Sequence, residues 1–293
     1  MKPNAMLRAI MAGLLVWAGS TVIAHDEAAA QRDSLQARLE LPPMPMEQAE
    51  APPAPPPIRS NLIFPGVTIS SPTALGAERG TVYLGVGYQQ RTRYLRDDDD
   101  GAIYGGIGLG DASRYVGVEL TVASYSTVRT GLFDRVGLSG QVHRFLGDNT
   151  AVGVGVENLV MLNGDESDVG RSIYGVVTRL FALKSDPTEP FSLITATLGV
   201  GDGRFRLEDD VFEDNSTVGV FGSVSLHVAR PVSVIADWTG QDLALGLSLA
   251  PFSRFPLVIT PAVMDVTRTA GDGARFVLAA GVGYRLRRGP IQF

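Results

Sequence analysis

The sequence predicts an all-β protein: a closed, antiparallel, up-and-down transmembrane β-barrel of about twelve strands. Three observations carry this. Apolar residues alternate with small ones at period two from residue 80 onward, and the connections between these segments alternate between short and long. Glycine, 34 residues in all, is concentrated in the same region, with only Gly13, Gly19, Gly66 and Gly76 preceding Gly80. Glycine and β-branched residues are poor helix formers, which excludes a helical body. Ten or fourteen strands also fit the pattern.

The first 24 residues predict a secretory signal. Lys2 and Arg8 provide a basic start, Ala9 to Ala18 an apolar run too short to cross a bilayer, and Val22-Ile23-Ala24 the small residues that signal peptidase reads. Residues 25–79 predict a disordered, Pro-rich periplasmic segment. Eight prolines fall within residues 42–57 and favour extended polyproline II. Ile58 to Ala77 holds the apolar run Leu62-Ile63-Phe64, which could pair with the barrel or enter its mouth. Residues 80–293 form the barrel.

The first strand, 80–90, sets Val82, Leu84, Val86 and Tyr88 against Thr81, Tyr83, Gly85 and Gly87. The second spans 102–110. The third, 115–126, sets Val118, Leu120 and Val122 against Glu119 and Thr121, and the fourth, 135–146, sets Leu138 and Val142 against Gln141 and His143. Further strands are expected over 150–162, 172–183, 191–202, 217–229, 232–239, 242–252, 257–266 and 274–286. Two fit poorly: 172–183 has apolar residues on both faces, and 257–266 contains Pro261, which a closed sheet accommodates only with a bulge or altered pairing. A soluble β-sandwich also alternates, but its water-facing side would carry Lys, Glu and Arg, whereas here it carries Gly, Ser, Ala and Thr.

The turns Asp111–Arg114, Gly147–Asn149, Lys184–Pro190, Arg230-Pro231 and Ser253–Pro256 are short. Arg91–Gly101, Asn163–Arg171 and Gly203–Ser216 are longer. Short turns on one side and long loops on the other, with aromatic residues at strand ends such as Tyr115, Phe181, Phe252, Phe255 and Tyr284, resemble the small bacterial outer-membrane β-barrel proteins. The resemblance extends to the terminal Phe293 and implies recognition by the barrel-assembly machinery, an outer-membrane location in a Gram-negative-type envelope, contact with outer-membrane lipid and a periplasmic N-terminal segment. Its expected role is a small porin-like channel or a structural envelope protein. Pro290 departs from the usual terminal strand.

With no cysteine, stability must come from the sheet and apolar burial, and a net charge of −6 gives no reason to expect a nucleic-acid partner. Alternation places Glu119, Gln141, His143, Glu157, Arg179, Asp237 and Arg285 in the lumen, where charge is tolerated. They suit either a polar constriction or an internal ion-pair network. The acidic loop residues Asp97, Asp98, Asp99, Asp100, Asp209 and Asp210 offer hard oxygen ligands but lack calcium-loop spacing, so no metal or other cofactor is expected. A soluble periplasmic β-rich binding protein is the alternative class. Lipid hydrolysis through Ser225 with His227, or Ser139 with His143, is the least favoured reading, since neither imidazole has a third residue to orient it.

Overall fold

The computed structural model describes residues 64–92, 98–125, 127, 131–162, 170–268 and 273–286. The signal segment, the Pro-rich stretch, Asp97 and Phe293 lie outside them. The described strands are β1 (Thr81–Gln89), β2 (Asp100–Gly110), β3 (Gly117–Tyr125), β4 (Val136–Phe145), β5 (Thr150–Leu162) and β6 (Ser172–Ala182). They continue with β7 (Leu193–Gly201), β8 (Gly219–Ala229), β9 (Val232–Trp238), β10 (Leu243–Leu249), β11 (Leu257–Met264) and β12 (Arg275–Arg285). Each pairs antiparallel with the next, and β1 closes on β12 from Thr81 opposite Arg285 to Gln89 opposite Val277. The only described helical pieces are a 3₁₀ turn, Gly203–Phe205, and α1 (Glu208–Phe212), both between β7 and β8.

Closure leaves no strand edge, so every backbone group of the wall can pair with a neighbour, the condition for crossing a hydrocarbon layer with strands. Alternation then sorts the side chains. Leu84, Val86, Leu120, Val122, Val154 and Leu198 project outward and are exposed. At ~1.5–3 kcal/mol per large side chain left in water, a wall of this composition is suited to lipid rather than to solvent. Near the end where β1 begins and β12 stops, here called the entry end, Phe252, Phe255 and Tyr284 pack edge to face at 6.2 and 6.5 Å between ring centres.

The connections at the entry end are 111–116, 146–149, 183–192, 230–231 and 250–256; those at the far end include 90–99, 126–135 and 202–218. The asymmetry follows the sequence reading, with 183–192 the longest connection at the entry end and 239–242, around Gly240-Gln241, a short turn at the far end.

Pro261 is accommodated without a register shift. It pairs with Leu278 on β12, and on the β10 side the ladder resumes in the same register, with Gly246 opposite Ala262 and Leu249 opposite Ile259. The ladder is interrupted where Pro261 has no N–H to give. At that interruption the Thr260 hydroxyl donates to Ser248 Oγ at 3.0 Å. A bulge does occur elsewhere: between β4 and β5 the register shifts across Leu138 and Gly140, with Asn158 at φ +52°, a left-handed conformation that asparagine tolerates.

β6 lacks a clean apolar face because both of its sides are apolar environments. Ile173, Val177 and Phe181 face outward, while Tyr174, Val176 and Leu180 are buried inside the barrel. There a hydrophobic core forms from Ala74, Ala151, Tyr174, Val176, Phe205 and Phe221.

Candidate functional site: the occupied lumen

The core residue Ala74 precedes the barrel in sequence. Residues 64–79, which the sequence places in the disordered segment, fill much of the lumen. The segment runs from His227 near the entry end up to Asp237 and back down past His143 to β1. Phe64 meets the His227 ring edge-on at 5.9 Å, and the Gly66 N–H donates to Ser248 Oγ at 2.7 Å. At the bend, Asp237 on β9 is fully buried and takes the N–H groups of Ile69, Ser70 and Ser71 on Oδ2 at 2.7, 2.8 and 3.1 Å. The Thr68 hydroxyl adds a bond to Oδ2 at 2.8 Å, and the Ser71 hydroxyl a short bond to Oδ1. Convergent N–H groups form an anion-binding concavity, and the carboxylate occupies it.

The descending limb is held in turn by inward side chains. Gln141 Nε2 donates to the Thr73 carbonyl at 3.0 Å while its Oε1 accepts from the Tyr174 hydroxyl at 2.7 Å. The Ala74 N–H donates to Thr178 Oγ1 at 2.9 Å, and the Ala77 N–H to Glu119 Oε2 at 2.5 Å. Glu119 Oε1 accepts from the Tyr83 hydroxyl at 2.6 Å. Glu78 closes the limb with an ion pair to Arg285 at the rim.

His143 is buried with no hydrogen-bond partner on either ring nitrogen among the described residues. A Cβ on Gly76 or on Gly117 would overlap its ring, so glycine at both places is what lets the chain pass. No serine hydroxyl bonds to His143, and Ser139 instead accepts from the Asn158 N–H at 3.0 Å, so that nucleophile and base pair is not assembled. Nor does any described residue bond to Nε2 of His227.

At the far end the start of the connection 202–218 folds inward. Phe205 is fully buried, stacked on Phe221 at 4.3 Å between ring centres and edge-on to Tyr174 at 5.7 Å. Arg204 makes a two-pronged ion pair with Glu157, with Nη2 2.8 Å from Oε1 and Nε bonded to Oε2. The same Nη2 donates to the Ser70 carbonyl at 3.0 Å. Desolvation opposes the charged guanidinium, but Glu157 and, further off, Asp237 outweigh it and raise the Arg204 pKa above its ordinary value. The β5 bulge puts Glu157 and Asn158 in the lumen together, with Asn158 Oδ1 accepting from the Tyr125 hydroxyl at 2.9 Å.

On the other side, β11, β12, β1 and β2 present Val258, Thr260, Ala279, Gly281 and Gly283, and a cavity of about 240 Å³ remains beside Tyr83 and Tyr104.

Of the seven lumen candidates, Glu119, Gln141, His143, Glu157 and Asp237 face inward and converge on the segment or its closing loop, and Arg285 sits at the rim. Arg179 corrects the expectation. It lies between the buried residues Thr178 and Leu180 and faces outward, its guanidinium 5.3 Å from the centre of the Phe181 ring. The mixed faces of β6 hid its parity. Asp100 is also displaced from expectation: it belongs to β2 and is buried, with Oδ1 accepting from the Gly101 N–H at 2.8 Å. Asp209 and Asp210 lie on α1, and Asp210 accepts from the Thr217 hydroxyl at 2.9 Å. Among the described residues no group of three or more histidine, aspartate or glutamate side chains is arranged to hold a metal ion. Tyr125, Phe145 and Phe205 pack inward, unlike the exposed aromatics Tyr115, Phe181, Phe252, Phe255 and Tyr284 at the strand ends.

Sequence reasoning missed Arg204, and of residues 58–77 it gave only that they could pair with the barrel or enter its mouth, without the bonds that hold them. The available signal was chemical: inward carboxylates such as Asp237 need donors, and Thr68-Ile69-Ser70-Ser71-Pro72 is a turn-forming stretch rich in them.

No family model and no curated protein sequence matches the chain. Among solved structures, neisserial surface protein A is similar at 11% identity, with 70% of this chain and 96% of that chain covered and a TM-score of 0.18.

Proposed function

We propose that the chain is an outer-membrane β-barrel acting as a structural envelope protein whose lumen is sealed by its own residues 64–79. The apolar exterior and the short connections at the entry end support a membrane barrel with its N-terminal segment in the periplasm. The observation that carries the sealed reading is Asp237: a buried carboxylate holding the bend through three backbone N–H groups and two hydroxyls. Withdrawing the segment would exchange all five of these bonds for bonds to water, and at about 0.5–1.5 kcal/mol net for each bond the seated segment is favoured.

The test is conductance of the folded, full-length protein in planar bilayers. Absence of steady conductance is expected, and a stable open-channel current from wild type would overturn the sealed reading. The second reading, a channel gated by withdrawal of the segment, draws on the cavity beside the small-residue wall. It requires current that appears only when the segment is released. Membrane fractionation with heat-dependent gel mobility tests the outer-membrane assignment separately: recovery of a soluble, heat-insensitive protein would favour the periplasmic binding-protein alternative.

A further inference from the structure

The outward position of Arg179 has a counterpart. Arg144 lies on β4 next to the buried, inward-facing His143, and is itself exposed on the outer wall. The two arginines flank the beginning of β5: Arg144 pairs with Val152, and Arg179 with Thr150. Thr150 precedes the buried, inward-facing Ala151, so it also stands on the outer wall between them.

Neither arginine has an ion pair or hydrogen bond among the described residues. Arg179 has only the Phe181 ring, and Asp148, in the turn between β4 and β5, bonds to neither. Strands two apart are separated by ~10 Å and a two-residue offset adds ~7 Å along the strand, so the two Cα atoms are ~12 Å apart. That is within the joint reach of two arginine side chains.

Unpaired cations on a lipid-facing wall are disfavoured in the hydrocarbon and tolerated at its boundary, where lipid phosphates lie. A guanidinium donates two parallel N–H groups to a phosphate, a geometry that lysine lacks. The entry-end connections balance Arg114, Lys184, Arg230 and Arg254 against Asp111, Asp148, Asp186 and Glu189, whereas the far-end connection 202–218 carries six acidic residues against Arg204 and Arg206, so the excess of negative charge lies away from the two arginines.

We propose that Arg144, Thr150 and Arg179 form an outer-wall site for the phosphate of an anionic glycerophospholipid, such as phosphatidylglycerol or cardiolipin, in the leaflet at the entry end. This rests on the outer-membrane reading, in which the entry end faces the periplasm and its leaflet holds glycerophospholipids rather than lipid A. Phe181, one step nearer the entry-end rim than Arg179, holds the Arg179 guanidinium by a cation–π contact.

The experiment is native mass spectrometry of the full-length, detergent-folded protein titrated separately with phosphatidylglycerol, cardiolipin, phosphatidylethanolamine and lipid A. Wild type and Arg144→Gln/Arg179→Gln are compared, with heat-dependent gel mobility confirming that each is folded. Wild type is expected to retain the two anionic phospholipids over phosphatidylethanolamine, and the double variant to lose about tenfold in affinity for them. Equal retention by the double variant, or no preference over phosphatidylethanolamine, would overturn the site, and retention of lipid A alone would overturn its assignment to glycerophospholipid. Should the double variant not fold, the same readings are taken from Arg144→Gln. Absence of a heat-dependent, membrane-bound form of wild type would instead sink the outer-membrane reading.

Discussion

The ring of His143 leaves no room for a side chain at Gly76: a Cβ there would overlap it. One is a wall residue on β4 and the other belongs to the segment that fills the lumen, so their contact reports directly on whether that segment is seated. Gly76→Val is expected to lift the descending limb, destabilising the seated state by about 1–3 kcal/mol, the usual range for overpacking. Limited proteolysis between residues 64 and 79 would register the change. His143→Ala in the same chain should restore much of the protection, and a double-mutant cycle showing simple additivity would disprove the coupling.

Asp237→Ala removes the acceptor for Ile69, Ser70 and Ser71 and leaves the buried Ser71 N–H unsatisfied at about 1–3 kcal/mol, with less for the half-buried N–H groups of Ile69 and Ser70. Hydrogen exchange should show these three amides losing protection first, while amides of the β6–β7 ladder keep theirs. In planar bilayers this variant is also the one expected to give intermittent current if the lumen can open. Unchanged protection at residues 69–71 would mean that the bend is held by something other than this carboxylate.

Glu157 and Arg204 predict an asymmetry between single and double substitution. Their side chains are partly exposed, so Glu157→Gln is expected to cost only about 1–2 kcal/mol, below the range for fully buried pairs. Glu157→Gln combined with Arg204→Met should cost less than Glu157→Gln alone, because the stranded guanidinium is gone. Thermal loss of the heat-resistant gel form measures both, and a double variant weaker than the single would contradict the argument.

Pro261 offers a stabilising substitution. Its carbonyl points toward Gly246 on β10, so the missing N–H belongs to that same ladder. Pro261→Val supplies the donor and is expected to add about 1 kcal/mol, read as a higher midpoint of denaturant unfolding from detergent. A lower midpoint would show that the local backbone suits proline better than the ladder suits a new bond.

The wall was legible in the sequence because its signal is periodic. From Val82 to Tyr88 and from Phe276 to Tyr284 each step of two residues reports one face, and closure, strand count and loop asymmetry follow from repeating that unit. The lumen's occupant has no period. Residues 64–79 adopt neither helix nor strand, and what fixes them is a set of single bonds to Ser248, Asp237, Gln141, Thr178 and Glu119, which lie far apart in sequence. Arg179 was misplaced for a related reason. A filled lumen is apolar along β6, so hydrophobicity no longer tells inside from outside there, and the parity had to come from Thr178 and its partners Thr197 and Ala74.

The path of residues 64–79 also bears on how the molecule is made. Both limbs, at Phe64 and at Glu78, lie toward the same end of the barrel, so the segment is a doubled-back loop rather than a thread passed from one mouth to the other. A barrel whose β1 and β12 have already zipped together can accept such a loop without any chain terminus travelling through it. Sheet closure and lumen filling are therefore topologically separable, and the second can follow the first.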